Sequence, residues 1–138
     1  MSLYQVIYAS HPSGYDEPTL NAILADSRRR NAQDDITGAL ICRADIYLQL
    51  LEGPIDKVKA AYLRIDRDDR HHSIRKLVSQ PAASRLFPGW AMRDDPARSW
   101  LWTPRQITEG VLERASRAEI LAVFQRIVDD PFRTDRPR

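Results

Sequence analysis

The sequence predicts an α+β fold, and three features of its 138 residues point there. Short runs of alternating apolar side chains recur along the first two thirds of the chain, segments with helical spacing lie between them, and Gly and Pro mark the junctions. With 43% hydrophobic and 29% charged residues, the chain has the composition of a domain with a single buried core.

The elements follow in order. Leu3 to Ser10 carries Tyr, Val, Ile and Tyr and ends at His-Pro-Ser-Gly, a strand running into a loop. Asp16 ahead of Pro18 offers a helix start, and Leu20, Ile23, Leu24 and Ser27 recur at helical spacing as far as Asn31. Ile36–Cys42 and Ile46–Leu51 flank Arg43-Ala44-Asp45, a connection short enough for a β-hairpin. Gly53-Pro54 breaks the run, after which Val58, Ala61, Tyr62 and Ile65 mark one face of a second helix. Ile74–Gln80 and Trp90–Arg93 read as two further strands, the last introduced by Phe87-Pro88-Gly89. The order βαββαββ is the split arrangement of ferredoxin-like folds with one strand added, so two helices should cover one sheet face.

Residues 1–96 are expected to form this domain, and 97–138 a helical tail. Thr103-Pro104 opens one helix through Arg114, and Ser116 with Glu119 forms a capping-box start for another through Val128. Ile120, Leu121, Val123, Phe124, Ile127 and Val128 make a wide apolar stripe, which either packs within the chain or binds a partner. Beyond Pro131 the chain is polar, basic and proline-containing, and is expected to fray.

Composition excludes several functions. Twenty-one basic against 19 acidic residues leave a net charge of +2, too small and too mixed for a nucleic-acid surface. Cys42 is the only cysteine, so an intrachain disulfide or a cysteine-built metal site cannot form, which fits a reducing compartment and favours the cytoplasm. No stretch reaches membrane-spanning length, and no membrane partner is expected. The dinucleotide, P-loop, zincin and nucleophile-elbow signatures are all missing. His71-His72, placed at a helix end, suits a surface better than a metal site.

What remains is a set of polar residues in apolar surroundings. Alternation puts Tyr4, Val6, Tyr8 and Ser10 on one face of the first strand, and Tyr47, Gln49 and Leu51 on one face of the third. Gln49 either faces water on an open sheet face or is buried and must find partners for its amide, since an unsatisfied amide costs roughly 1–3 kcal/mol. Asn31 is either a C-terminal cap or an amide that reads a ligand. Arg64 and Asp68 are spaced for a weak i,i+4 ion pair, and Trp90 and Met92, two apart, are expected to share a strand face.

Taken together, YQVIYAS, RRRNAQDDITGAL, YLQLLEG, RIDRDDRHHSI and FPGWAM resemble a BLUF domain along residues 3 to 95. The resemblance implies a blue-light photoreceptor, not an enzyme, that holds FAD between its two helices. Tyr8 and Gln49 match the photoactive pair, with Gln49 bridging the Tyr8 hydroxyl and the flavin N5 and O4 edge, and Asn31 suits O4 and N3–H. Arg64, Asp68, Arg70 and His71 match the region holding the ribityl and phosphate end. Ser27 and Arg28 would face the flavin, and Leu24 and Ile65 would wall the ring. Trp90 and Met92 match the strand-five switch residues, and which of them points inward stays open. Ala32 departs from the family, many members having a second asparagine there, so FMN or riboflavin remains an alternative to FAD. The implied output passes through strand five and the tail to an unidentified downstream protein. The exposed sheet face would admit a homodimer, as in relatives. Two other readings stand beside this one: a flavin-dependent oxidoreductase, and a ferredoxin-like interaction module without photoactivity.

Overall fold

Alternation along β1 (Leu3–Pro12) sends Val6 and Tyr8 to one side of a sheet and Ile7 and Ala9 to the other, and all four are buried. The computed structural model describes residues 2–129, so the stretch beyond Pro131 lies outside it. Five strands stand in the order β4-β1-β3-β2-β5. β3 (Ile46–Pro54) pairs antiparallel with β1, Tyr8 opposite Gln49, and with β2 (Thr37–Arg43) through a hairpin in which Arg43 faces Ile46. β4 (His71–Ala82) lies antiparallel on the far side of β1, with register shifts between Ile7 and Tyr8 and between Ala9 and His11.

Helices α1 (Glu17–Asp34) and α2 (Ile55–Asp66) cover one face together. α1 starts where the Asp16 carboxylate accepts from the Thr19 N–H, as predicted. It ends at Asp35, whose φ of 57° and N–H to the Asn31 carbonyl make it the left-handed cap. Asn31 is therefore not the cap: it sits inside the last turn with its side chain buried. Leu20, Ile23 and Leu24 from α1 and Val58, Ala61, Tyr62 and Ile65 from α2 pack onto Val6, Leu40 and Leu51.

The opposite face is not open. α5 (Arg117–Val128), which begins with the Ser116 and Glu119 capping box, lays Ile120, Val123, Phe124 and Ile127 against Ile7, Ile41, Leu48 and Leu50. The apolar stripe of the tail thus packs within the chain, which removes the exposed sheet face on which a homodimer was expected. The preceding helix divides into α3 (Pro104–Thr108) and α4 (Val111–Arg114), because Gly110 adopts φ 88°, a left-handed conformation that stops a helix.

The last strand also differs. β5 (Arg93–Pro96) begins where the predicted strand ends, and it runs parallel to β2 with Ala39 beside Arg93. Trp90 and Met92 precede it in irregular chain that is tied to β2 by the Gly38 N–H donating to the Trp90 carbonyl at 3.1 Å. Without strand geometry they do not share a face: Trp90 belongs to the core beneath α5, and Met92 to the core beneath α1 and α2.

Candidate functional site: a cleft between two helices and the sheet

Between α1, α2 and the sheet lies a narrow cavity of about 40 Å³. Its floor is Tyr8, Leu40, Tyr47 and Gln49; Ile23 and Ser27 of α1 and Ile65 of α2 wall it; Asp68, Arg70 and His71 stand at its polar end. Apolar walls with a few convergent polar groups are the form of a ligand site.

The β1–β3 register sets the floor. Because Tyr8 faces Gln49 across the ladder and both point to the helix side, the Tyr8 hydroxyl donates to Gln49 Oε1. Gln49 is 3% exposed, so it does not face water, and its Nε2 donates to the Met92 thioether at 3.3 Å. Tyr8, Gln49 and Met92 thus form one buried chain of hydrogen bonds. Burial pushes the Tyr8 phenol well above its ordinary pKa, aided by the nearby Asp68 charge and Tyr62, so the hydroxyl keeps its proton at any ordinary pH. The Tyr62 and His71 rings meet Tyr8 edge-on, with centroids at 5.8 and 6.1 Å.

His71 opens β4 and turns inward rather than standing at a surface helix end. Its Nε2 is 2.7 Å from the Ile65 carbonyl, which can only accept, so Nε2 carries hydrogen and Nδ1 meets the Ser10 hydroxyl at 2.7 Å. His72 stays exposed, its ring beside that of His11, and no metal-binding cluster occurs among the described residues. Arg70 bonds Asp68 through Nε at 2.9 Å and Nη2 at 2.5 Å and reaches Asp26 of α1 through Nη1 at 3.2 Å. The guanidinium holds the Asp68 carboxyl below the usual carboxylate range.

The other predicted residues lie elsewhere. Asn31 Nδ2 donates to the Ala91 carbonyl at 2.7 Å, and Arg28, one turn earlier, donates to the Met92 carbonyl at 3.1 Å and pairs with Asp94 at 2.7 Å. These two hold residues 91–94 to α1 and do not line the cavity. Leu24 is buried in the helix-side core. Arg64 reaches Asp34 at 4.0 Å rather than pairing with Asp68. Trp90 faces the opposite core, with the Arg93 guanidinium 5.5 Å from its ring centroid. Sequence reasoning places Tyr47 on the face of Gln49 but does not make it a site residue. Its hydroxyl is buried without a hydrogen-bond partner among the described residues, a fact that periodicity alone does not carry.

Comparison with known proteins gives consistent matches. The family model described as BLUF, sensors of blue-light using FAD, matches residues 3–93. The blue light- and temperature-regulated antirepressor BluF of Escherichia coli (strain K12) is 39% identical over 87 residues, which are 62% of this chain and 21% of that protein. The photoactivated adenylate cyclase subunit beta of Euglena gracilis is 40% identical over 74 residues, 53% of this chain and 9% of that protein. The chain thus spans about a fifth or less of these curated relatives. Among solved structures, the dark state of BlrB, a BLUF protein, superposes with a TM-score of 0.73 at 26% identity, covering 93% of this chain and 96% of that one. A bacterial light-regulated adenylyl cyclase gives 0.69 at 29% identity, covering 90% of this chain and 39% of that one.

Proposed function

The chain belongs to the BLUF family of blue-light sensors that use a flavin, and from that membership we propose that Tyr8, Gln49 and Met92 are its light-operated switch. The observation that carries the proposal is the buried Tyr8–Gln49–Met92 chain at the floor of the cleft. The donor set fits a flavin: an amide and two hydroxyls on the floor, apolar walls for a planar ring, and a cation and a carboxylate at the polar end. Bound there, the flavin absorbs blue light and becomes a strong oxidant in its excited state. FAD is the proposed form; Ser27, Ile65, Asp68, Arg70 and His71 would hold it from the cavity wall. Asn31, Arg28, Leu24 and Arg64 would act from behind that wall, by fixing the 91–94 stretch, the α1 core and the α1–α2 contact.

Gln49 can register the event because its two ends differ. Tyr8 presents a donor to the amide oxygen, while the Met92 sulfur is a weak acceptor that suits only the NH2. If Tyr8 gave an electron to the excited flavin, its phenol would become acidic and its proton could move along the bond to Gln49; return of both the electron and the proton would restore the neutral phenol. An amide that then turns presents NH2 to the Tyr8 oxygen and its carbonyl oxygen to Met92, where two acceptors meet. The bond to Met92 is lost, and the chain segment leading into β5 feels the change. We further propose that the signal reaches an unidentified partner protein through that segment, with no catalytic step in this chain, and that the protein works in the cytoplasm, where its single buried thiol would stay reduced.

An absorption spectrum of the purified full chain, before and after blue light, tests this. The wild type should show a flavin spectrum that shifts reversibly to the red, and Gln49→Ala should retain the flavin and lose the shift. A shift that survives in Gln49→Ala removes Gln49 from the switch, and light-driven bleaching in place of a shift points to oxidoreductase chemistry.

A further inference from the structure

Two tyrosines of the sheet border the cleft, and one of them lacks a partner. The Tyr8 hydroxyl is bound to Gln49; the Tyr47 hydroxyl is buried and bonds to nothing among the described residues, in a side chain only 3% exposed. A buried phenol left unsatisfied lowers stability, and native interiors seldom keep one without use for it. Phenylalanine would fill the same space without that cost, so the hydroxyl itself needs a reason.

Its surroundings leave little room for rearrangement. Tyr47 is fixed between Ser10 and Cys42 in the ladder, and the Tyr15 ring lies 6.3 Å from its own, so the hydroxyl cannot swing out to water. The charged and imidazole groups of the cavity are engaged elsewhere: Asp68 with Arg70, Arg70 also with Asp26, and His71 with Ser10 and Ile65. Burial raises the Tyr47 pKa, so the group is a protonated donor at neutral pH. Tyr47 itself lines the cavity.

We infer that Tyr47 is a ligand-binding residue, its hydroxyl donating a hydrogen bond to an acceptor atom of the flavin held in the cleft. The inference rests on the flavin reading above. The two tyrosines then have separate roles, Tyr8, joined to Gln49, serving the switch and Tyr47 serving affinity.

Titration of riboflavin into the flavin-free full chain, read by quenching of flavin fluorescence, tests this for the wild type and Tyr47→Phe. The thermal midpoints of both flavin-free proteins and the light-induced shift of both loaded ones are measured alongside. One lost hydrogen bond predicts binding about 5–10-fold weaker in Tyr47→Phe, with a flavin-free midpoint equal to or above that of the wild type and the red shift retained. Equal affinities overturn the assignment, as does a flavin-free variant less stable than the wild type, which marks a structural hydroxyl instead. A wild type that takes up no riboflavin overturns the flavin reading itself, and this assignment with it.

Discussion

Gln49 is held at one end by an oxygen-bound proton and at the other by a sulfur, and these are unequal grips. A thioether is a weak acceptor, so on the proposed turn of the amide the Met92 contact would yield first. Met92→Leu tests this with little structural disturbance, because a volume-conserving swap in a buried site usually costs under about 1.5 kcal/mol. The variant should keep its flavin and its red shift, while recovery in darkness slows several-fold as the dark orientation loses its anchor. Time-resolved absorption after a blue pulse measures this; unchanged recovery would separate Met92 from the switch. A buried charge serves the architecture of the same region. Glu52 is wholly buried, and its carboxylate accepts from the Thr37 hydroxyl and the Leu86 and Phe87 N–H groups, which pins the loop ahead of Trp90 to β3.

Strands β2 and β3 carry the site because they approach without obstruction at Gly38. A Cβ at this position would run into the Leu50 carbonyl oxygen, a backbone atom that cannot move aside. Gly38→Ala should therefore lower stability by about 3 kcal/mol, read from the urea midpoint, and should loosen flavin binding through the displaced β3. The elements around this pair are legible in the sequence wherever apolar periodicity and capping chemistry agree. β1, the hairpin, α1, α2 and α5 all lie where alternation, helical spacing, Asp16 and Ser116 place them. The exceptions have physical causes. The sequence starts the last strand at Trp90 instead of Arg93 because an aromatic residue follows the Phe87-Pro88-Gly89 break, whereas Arg93-Asp94-Asp95-Pro96 looks like a loop until Asp95 is seen buried between Arg93 and Arg98. α3 and α4 read as one helix because a glycine inside a helical pattern is tolerated when φ stays negative, and only the structure shows Gly110 at positive φ. Gln49 is conspicuous in the sequence, being polar in an apolar run. Tyr47 is not, because an unpartnered hydroxyl is a property of three-dimensional neighbours.

At the scale of the molecule, β3 lies between two cores and is buried along nearly its whole length. The family match ends at residue 93, yet the core does not: Phe124 is fully buried and meets Phe87 edge-on, with centroids 6.3 Å apart and rings at 86°. Phe124→Ala should cost about 3–5 kcal/mol in global stability by denaturant unfolding, the value for a large aromatic removed from a packed core. A tail that behaved as a loose appendage would give a far smaller loss. The tail is further tied to β5, since Arg93 Nη2 donates to the Ile127 carbonyl at 3.5 Å near the end of α5. The crossing of residues 90–92 at the sheet edge sets the two cores in series. Trp90 is seated under α5 and Met92 over Gln49, two residues apart, so the segment spans two seats of unequal size. Bringing the indole to the α1–α2 side would empty a large side-chain seat beneath the tail, and a methionine moved the other way would fill only part of it. Any exchange of the two would therefore oblige α5 either to settle closer to the sheet or to leave a void, so the mismatch in volume would carry a local swap of side chains into the seat of a whole helix.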